Sequence, residues 1–231
     1  MNIPLSNRLK ACCALVKAGD RVADIGCDHG YLSIHLLKEN IASSIIAADI
    51  NEGPLQSAIR NANKFGVTDR IAFYLSDGVR NIPRDFDTMV CAGMGGDTMI
   101  SILEAAPWLK DSKYRLILQC QSRRPELRKY LYEQGFRIQK ETLAKDGHFI
   151  YPVTEVTYSP SGTLSPAGYH ITPALLESGS ALLPDFYQMV VTGIRNCVNG
   201  LSRAGGEKYE HYKTVLQELE DMEVLIYGNR C

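Results

Sequence analysis

Acidic residues and glycines recur in this chain at the ends of short apolar runs, and their types already define a binding chemistry. The four stretches are Asp24-Ile25-Gly26-Cys27-Asp28-His29-Gly30, Ala48-Asp49-Ile50, Ser76-Asp77-Gly78 and Ala92-Gly93-Met94-Gly95-Gly96. In the first, a buried strand must turn sharply, and Gly26 and Gly30 permit positive φ and close backbone approach to a ligand. A helix starting just beyond points free backbone N–H groups at the same place. A dinucleotide fingerprint requires G-x-G-x-x-G, whereas here Asp28 stands at the second glycine position and opposes a pyrophosphate. Carboxylates at Asp24 and Asp28 suit a ligand that carries positive charge.

Among adenosine cofactors, S-adenosylmethionine answers that description, with its ammonium and sulfonium. Asp49 lies about twenty residues past the glycine turn at the end of the next strand, where an acid accepts hydrogen bonds from ribose hydroxyls. Ile50 follows it. Asp77 is placed to accept from the cofactor's adenine amino group and Gly78 to give a backbone contact; the alternative is a plain Asp-Gly turn. Cys27, His29, Ala92 and Gly93 complete the expected cofactor lining, although His29 could instead serve to satisfy a backbone carbonyl.

Alternating elements must bring these tips together. Residues 5–17 read as an amphipathic helix with Leu5, Leu9, Cys12, Cys13 and Val16 on one side and Gly19 beyond its end. Strands are predicted over 21–25, 44–48, 71–75, 87–91 and 115–119, with helical stretches between them and Gly66 and Gly135 at helix C-caps. Such alternation means a parallel sheet covered on both faces, with ligands outside the carboxyl ends of its strands. Residues 136–143 and 149–158, joined by Ala144-Lys145-Asp146-Gly147-His148, carry a hairpin signature. A terminal hairpin fits a seven-stranded methyltransferase sheet better than a plain dinucleotide fold. The polar, proline-bearing residues 159–166 read as a linker, after which 182–198 and 209–227 read as two antiparallel helices separated by Ala204-Gly205-Gly206. The expected organisation is therefore a domain over 1–158 and a helical, coiled-coil-like region over 159–231.

Composition is that of an ordinary globular protein: 231 residues, 45% apolar and 22% charged, with a net charge of -1. Seven cysteines lie scattered without C-x-x-C or metal-like spacing, so reduced thiols in the cytoplasm are expected and no metal. The first ten residues lack a signal-peptide core and no apolar run approaches spanning length, so no membrane is expected either. The chain does not fix an oligomeric state, and a monomer is the default. Charge is unevenly placed. Between residues 113 and 145 stand nine lysines and arginines against Glu126, Glu133 and Glu141, whereas the chain after Ser165 leans acidic. One reading is a phosphate-binding face hidden by the overall charge. The other is solvated helix faces with i, i+4 partners. Arg123 and Arg124, following the strand at 115–119, are expected at the crevice rim in either case.

Asp24-Ile25-Gly26-Cys27-Asp28-His29-Gly30-Tyr31-Leu32, Gly93-Met94-Gly95-Gly96 and Leu116-Ile117-Leu118-Gln119 resemble the bacterial tRNA adenine-22-N1 methyltransferase family, specifically over the first 157 or so residues and only in composition afterwards. The family usually carries Ser at Cys27, Ala at Gly30, Pro at Ser33 and Glu at Asp49, and reads Gln-Pro-Asn where this chain has Gln119-Cys120-Gln121. The resemblance implies a class I, Rossmann-like α/β fold with a helical C-terminal appendage, S-adenosyl-L-methionine as methyl donor and tRNA as partner.

Adenine N1 has an in-plane lone pair and attacks the sulfonium methyl without first losing a proton, so positioning supplies most of the rate. Positive charge then appears on the purine, and Asp28 is assigned as the carboxylate that stabilises it; the alternative is that Asp28 caps the following helix. Met94 offers a flexible apolar surface for a ring, and the glycines around it, Gly95 included, leave backbone open to an adenine edge or permit tight packing into the next helix. Tyr31 is a candidate to stack on an extruded base or a core residue. Gln119 and Gln121 are candidates to bond the base, and Arg123 and Arg124 to hold phosphate. Two other functions stay open: a methyltransferase with a small-molecule or protein acceptor, favoured if the basic segment is dispersed, and a non-catalytic RNA-binding protein with a vestigial pocket.

Overall fold

The computed structural model describes residues 3–160 and 162–228; Ser161 in the expected linker and Cys231 lie outside them. The first helix, α1 (Asn7–Leu15), begins where the Ser6 hydroxyl accepts from Leu9 N. It is followed by β1 (Arg21–Ile25), α2 (Tyr31–Lys38), β2 (Ser44–Asp49), α3 (Glu52–Phe65), β3 (Ile71–Leu75), β4 (Thr88–Gly95), α4 (Gly96–Glu104), β5 (Arg115–Ser122), α5 (Arg124–Glu133), β6 (Phe136–Asp146) and β7 (Phe149–Tyr158). Gly66 closes α3 in the left-handed conformation.

The strands form one sheet in the order β3-β2-β1-β4-β5-β7-β6. Five are parallel, and β7 and β6 join antiparallel. This is the Rossmann-like methyltransferase fold. Strand alternation splits each strand between two cores. Ala23, Ile25, Met89 and Leu116 pack beneath α4 and α5; Val22, Ile45, Val90 and Ile117 pack beneath α1, α2 and α3.

Several boundaries differ from expectation. β4 does not end at Cys91: Ala92 to Gly95 keep pairing with β5 through two register shifts, so the glycine stretch is a bulged strand end rather than a free loop. β5 likewise runs to Ser122. The hairpin closes over Gly147 and His148 alone, with Asp146 opposite Phe149, because Ala144 to Asp146 continue the ladder. Beyond residue 160 the chain forms α6 (Pro173–Leu176), α7 (Leu183–Leu201), α8 (Glu207–Asp221) and α9 (Glu223–Tyr227), the predicted last helix being broken at Met222. A third core joins Phe186, Tyr187, Val191, Val215 and Leu219 to Leu143 and Ile150 of the hairpin. Val224 and Leu225, within the 209–227 stretch predicted as the last helix, are exposed. No helix among the described residues is long and apolar enough to cross a membrane.

Candidate active site

Strand order reverses between β1 and β4, the place where open α/β sheets bind ligands beyond their carboxyl ends. Two cavities meet there. The first, of ≈ 300 Å³, is lined by Asp49, Ile50 and Asn51 at the tip of β2, by Ser76, Asp77 and Gly78 after β3, and by Thr98, Ser101 and Ile102 of α4. Asp49 is buried, one oxygen accepting from Asp28 N at 3.1 Å and the other from Asn51 N at 2.9 Å. Each oxygen retains a lone pair for a further donor. Asp77 is exposed, 3.3 Å from Arg80 Nε. Gly78 has φ +59°, and a Cβ there would lie 2.9 Å from Ile102 Cγ1, so both backbone and packing demand glycine. The turn itself is tied by Ser76, whose hydroxyl donates to Gly78 O and accepts from Asn81 N.

The second cavity, of ≈ 280 Å³, is lined by Asp24, Cys27, Asp28, His29 and Tyr31 around the β1 turn, by Ala92 and Gly93 of β4, and by Arg8 and Leu9 of α1. Gly26 and Met94 line both cavities. The Met94 thioether fills the space a Cβ at Gly26 would take, so the two residues form the junction between them. Asp24 is buried and accepts from Ser33 Oγ at 2.6 Å. Burial pushes its carboxyl up to about 6; the Ser33 hydroxyl and N–H pull the other way, and Asp49 adds a small further rise. The cavity thus holds a desolvated acid suited to meeting a cation.

Asp28 sits in the left-handed region at φ 50° with an exposed carboxylate, 3.7 Å from His29 Nε2. It does not cap α2: Gly30 occupies the N-cap, without a side-chain bond. The His29 ring faces Asp28 and Tyr31, and it bonds no backbone carbonyl among the described residues. Tyr31 packs on the α2 side of the core while its remaining surface lines the cavity.

Six candidates line neither cavity. Gly30 is buried against Ala58. Gly95 packs on Ser122, and Gly96 on the Arg123 carbonyl, so this end of the glycine stretch serves close packing. Gln119 is wholly buried; its carbonyl oxygen accepts from Gly93 N and Arg8 Nη1, both at 3.1 Å, which makes it a support behind the site rather than a substrate contact. Gln121 is exposed beside Gly93. Arg123 opens α5 at φ 54° and pairs with Asp97 and Glu126. Arg124 is half-buried, its guanidinium 5.3 Å from the Phe186 ring.

The basic segment is dispersed. Arg115 is buried between Asp20 and Glu155. Arg128 is buried on Glu141 and two carbonyls of residues 169 and 170. Arg137 is spent on the carbonyls of Tyr132, Phe136 and Gly162. No single phosphate-binding face results. Conversely, Arg8 and Asn51 were not singled out from sequence, and Ser33 and Ser76 were given no role there; Arg8 carries no signal beyond being a polar residue on an amphipathic helix.

Fold and paired cavities together define a class I methyltransferase, and a family model described as a methyltransferase domain matches residues 5–154. The tRNA (adenine(22)-N(1))-methyltransferase of Bacillus subtilis strain 168 is 30% identical over 232 residues, covering 96% of this chain and 96% of that one. The crystal structure of the B. subtilis m1A22 tRNA methyltransferase superposes with a TM-score of 0.79 at 28% identity, over 98% of this chain and 99% of the other. Streptococcus pneumoniae Sp1610 in complex with S-adenosyl-L-methionine gives 0.81 at 27% identity, over 94% and 98%. This chain belongs to the tRNA (adenine(22)-N(1))-methyltransferase family.

Proposed function

We propose that this protein methylates N1 of an adenine in tRNA, at position 22, with S-adenosyl-L-methionine as donor, in the cytoplasm. The observation that supports this best is the junction at Gly26 and Met94, where an acidic cavity and a partly apolar one adjoin at the β1 turn. The residues fit such a donor. Asp49 would take the ribose hydroxyls, Asp77 and Gly78 the adenine beside Ile50 and Ile102, Asp24 the ammonium and Arg8 the carboxylate. Gly26, lacking a Cβ, leaves backbone and Met94 to pack at the reacting end.

When bound, the donor supplies an electrophilic methyl on a sulfonium. The target N1 needs no base, so the chain's tasks are to hold the two reactants in line and to favour the charge arriving on the purine. Asp28, held away from the helix by its left-handed backbone and bearing an exposed carboxylate at the mouth, is assigned the second task. Tyr31 and Met94 give the base a surface. We assign residues 159–231 to holding the tRNA.

The dispersal of the basic segment is the one observation favouring a protein or small-molecule acceptor. Incubation with unmodified bulk tRNA and labelled donor, followed by digestion, decides: labelled 1-methyladenosine is expected, and absence of any labelled nucleoside refutes the tRNA reading. Calorimetry showing no donor binding would leave only a vestigial pocket. Asp28→Asn is expected to lower kcat by on the order of tenfold to a hundredfold with donor affinity within about twofold; an unchanged kcat removes Asp28 from catalysis.

A further inference from the structure

We infer that the tip of the β6–β7 hairpin is a stacking platform for an unpaired nucleotide of the RNA substrate, formed by Phe149 with Tyr151 behind it. This rests on the tRNA reading above and adds a substrate contact that the crevice itself does not contain.

Phe149 exposes 62% of its surface at a two-residue turn. The period of the strand puts Phe149 and Tyr151 on one face, their rings 6.0 Å apart and tilted by 36°. Ile150, between them, points to the other face and is buried with Leu143 beneath the C-terminal helices. Packing therefore accounts for Ile150 and leaves Phe149 largely in water, with the Tyr151 ring beside it.

The tip is held beside the second cavity. Asp146, the cross-strand partner of Phe149, accepts from Asn7 N at 2.9 Å and from Arg8 N at 3.3 Å, and the Asn7 amide donates to Lys145 O. Arg8 is itself a wall of that cavity. Phe149 is thus tied, through one carboxylate and one turn of helix, to a wall of the cavity whose other residues, Tyr31 and Met94, are assigned above to the target base.

The surroundings favour nucleic acid over a protein partner. Lys145 is exposed and has no ion pair among the described residues. The neighbours Gly147 and His148 are exposed and not aliphatic, so the apolar surface here is two rings wide, too small for a protein interface. Two rings beside an exposed cation match RNA recognition, where unstacked bases lie on aromatic side chains and phosphates meet nearby positive charge. Extruding one base also leaves its neighbour without a stacking partner, which the platform would replace.

The test is steady-state methylation of unmodified tRNA by Phe149→Ala and Phe149→Trp. In the alanine variant the KM for tRNA is expected to rise by roughly tenfold, with donor affinity by calorimetry and the melting temperature as in the wild type. In the tryptophan variant KM is expected near the wild-type value, and added tRNA should quench an emission component absent from the wild type. A KM for Phe149→Ala within twofold of wild type overturns the platform while leaving the function intact. A wild-type protein that methylates no tRNA overturns the function itself, and the platform with it.

Discussion

Titration between pH 4 and 6.5 sets two groups of this protein against each other. Burial raises Asp24 from 3.8 to about 6. Burial, reinforced by Arg128, His211 and Arg124, lowers His170 from 6.5 to about 4. Each shift corresponds to about 3 kcal/mol, the His170 figure being trimmed by solvent because that ring is only partly buried. For Asp24 the folded state keeps a proton that the unfolded chain releases above pH 3.8, so stability falls as pH rises towards 6. For His170 the unfolded chain takes up a proton below pH 6.5 that the folded state refuses, so stability falls as pH drops towards 4. The slopes overlap and oppose, and wild-type unfolding free energy from urea titrations should vary by no more than about 1 kcal/mol from these two groups over that window. His170→Gln removes one side. That variant should lose about 3 kcal/mol between pH 4 and 6.5, and its donor affinity, like that of the wild type, should weaken below pH 6 as Asp24 is protonated. A His170→Gln variant whose stability is flat or rises across the window would refute the Asp24 shift and the picture of a desolvated acid awaiting a cation.

Gly78→Ala should cost about 1–2 kcal/mol of stability from its left-handed backbone and, by driving Ile102 into the first cavity, weaken donor binding; unchanged affinity in calorimetry would show that Ile102 does not shape that cavity. Glu141→Gln leaves buried Arg128 without its counter-charge and should cost about 3–5 kcal/mol in urea unfolding, with a loss under 1 kcal/mol marking the pair as dispensable. Iodoacetamide at pH 8, mapped by mass spectrometry, should label Cys197 before Cys12, Cys13, Cys27, Cys91 or Cys120, because the latter five are buried, with thiols raised by desolvation. Rapid labelling of native Cys27 would contradict its burial.

The strands were legible because apolar runs end in residues with restricted backbone roles, and Gly26 and Gly78, just past the ends of β1 and β3, both take the positive φ that such turns require. Their extents were not. Gly93 and Gly95 disfavour a strand locally, yet β5 offers its free edge and the ladder continues through bulges that no local pattern announces. The acidic residues of the two cavities were legible for the same reason as the strands: Asp24, Asp49 and Asp77 sit at tips that topology must gather. The fate of Gln119 and of the basic run depended on long-range pairing. Arg115 meets Asp20 from 95 residues away, and Gln119 is claimed by Arg8 and Gly93. Counting charges along the chain could not foresee that a basic run would be neutralised by distant acids, nor that a helix preceding the first strand would supply Arg8.

Leu143 and Ile150 belong to the sheet's last hairpin and to the core of the C-terminal helices at once. Cutting the chain after Tyr158 would therefore strip two aliphatic side chains bare instead of releasing an autonomous enzyme. The same shared core seats α7 and α8 directly on β6 and β7, so a force applied to these helices passes into the sheet edge rather than into a loose tether.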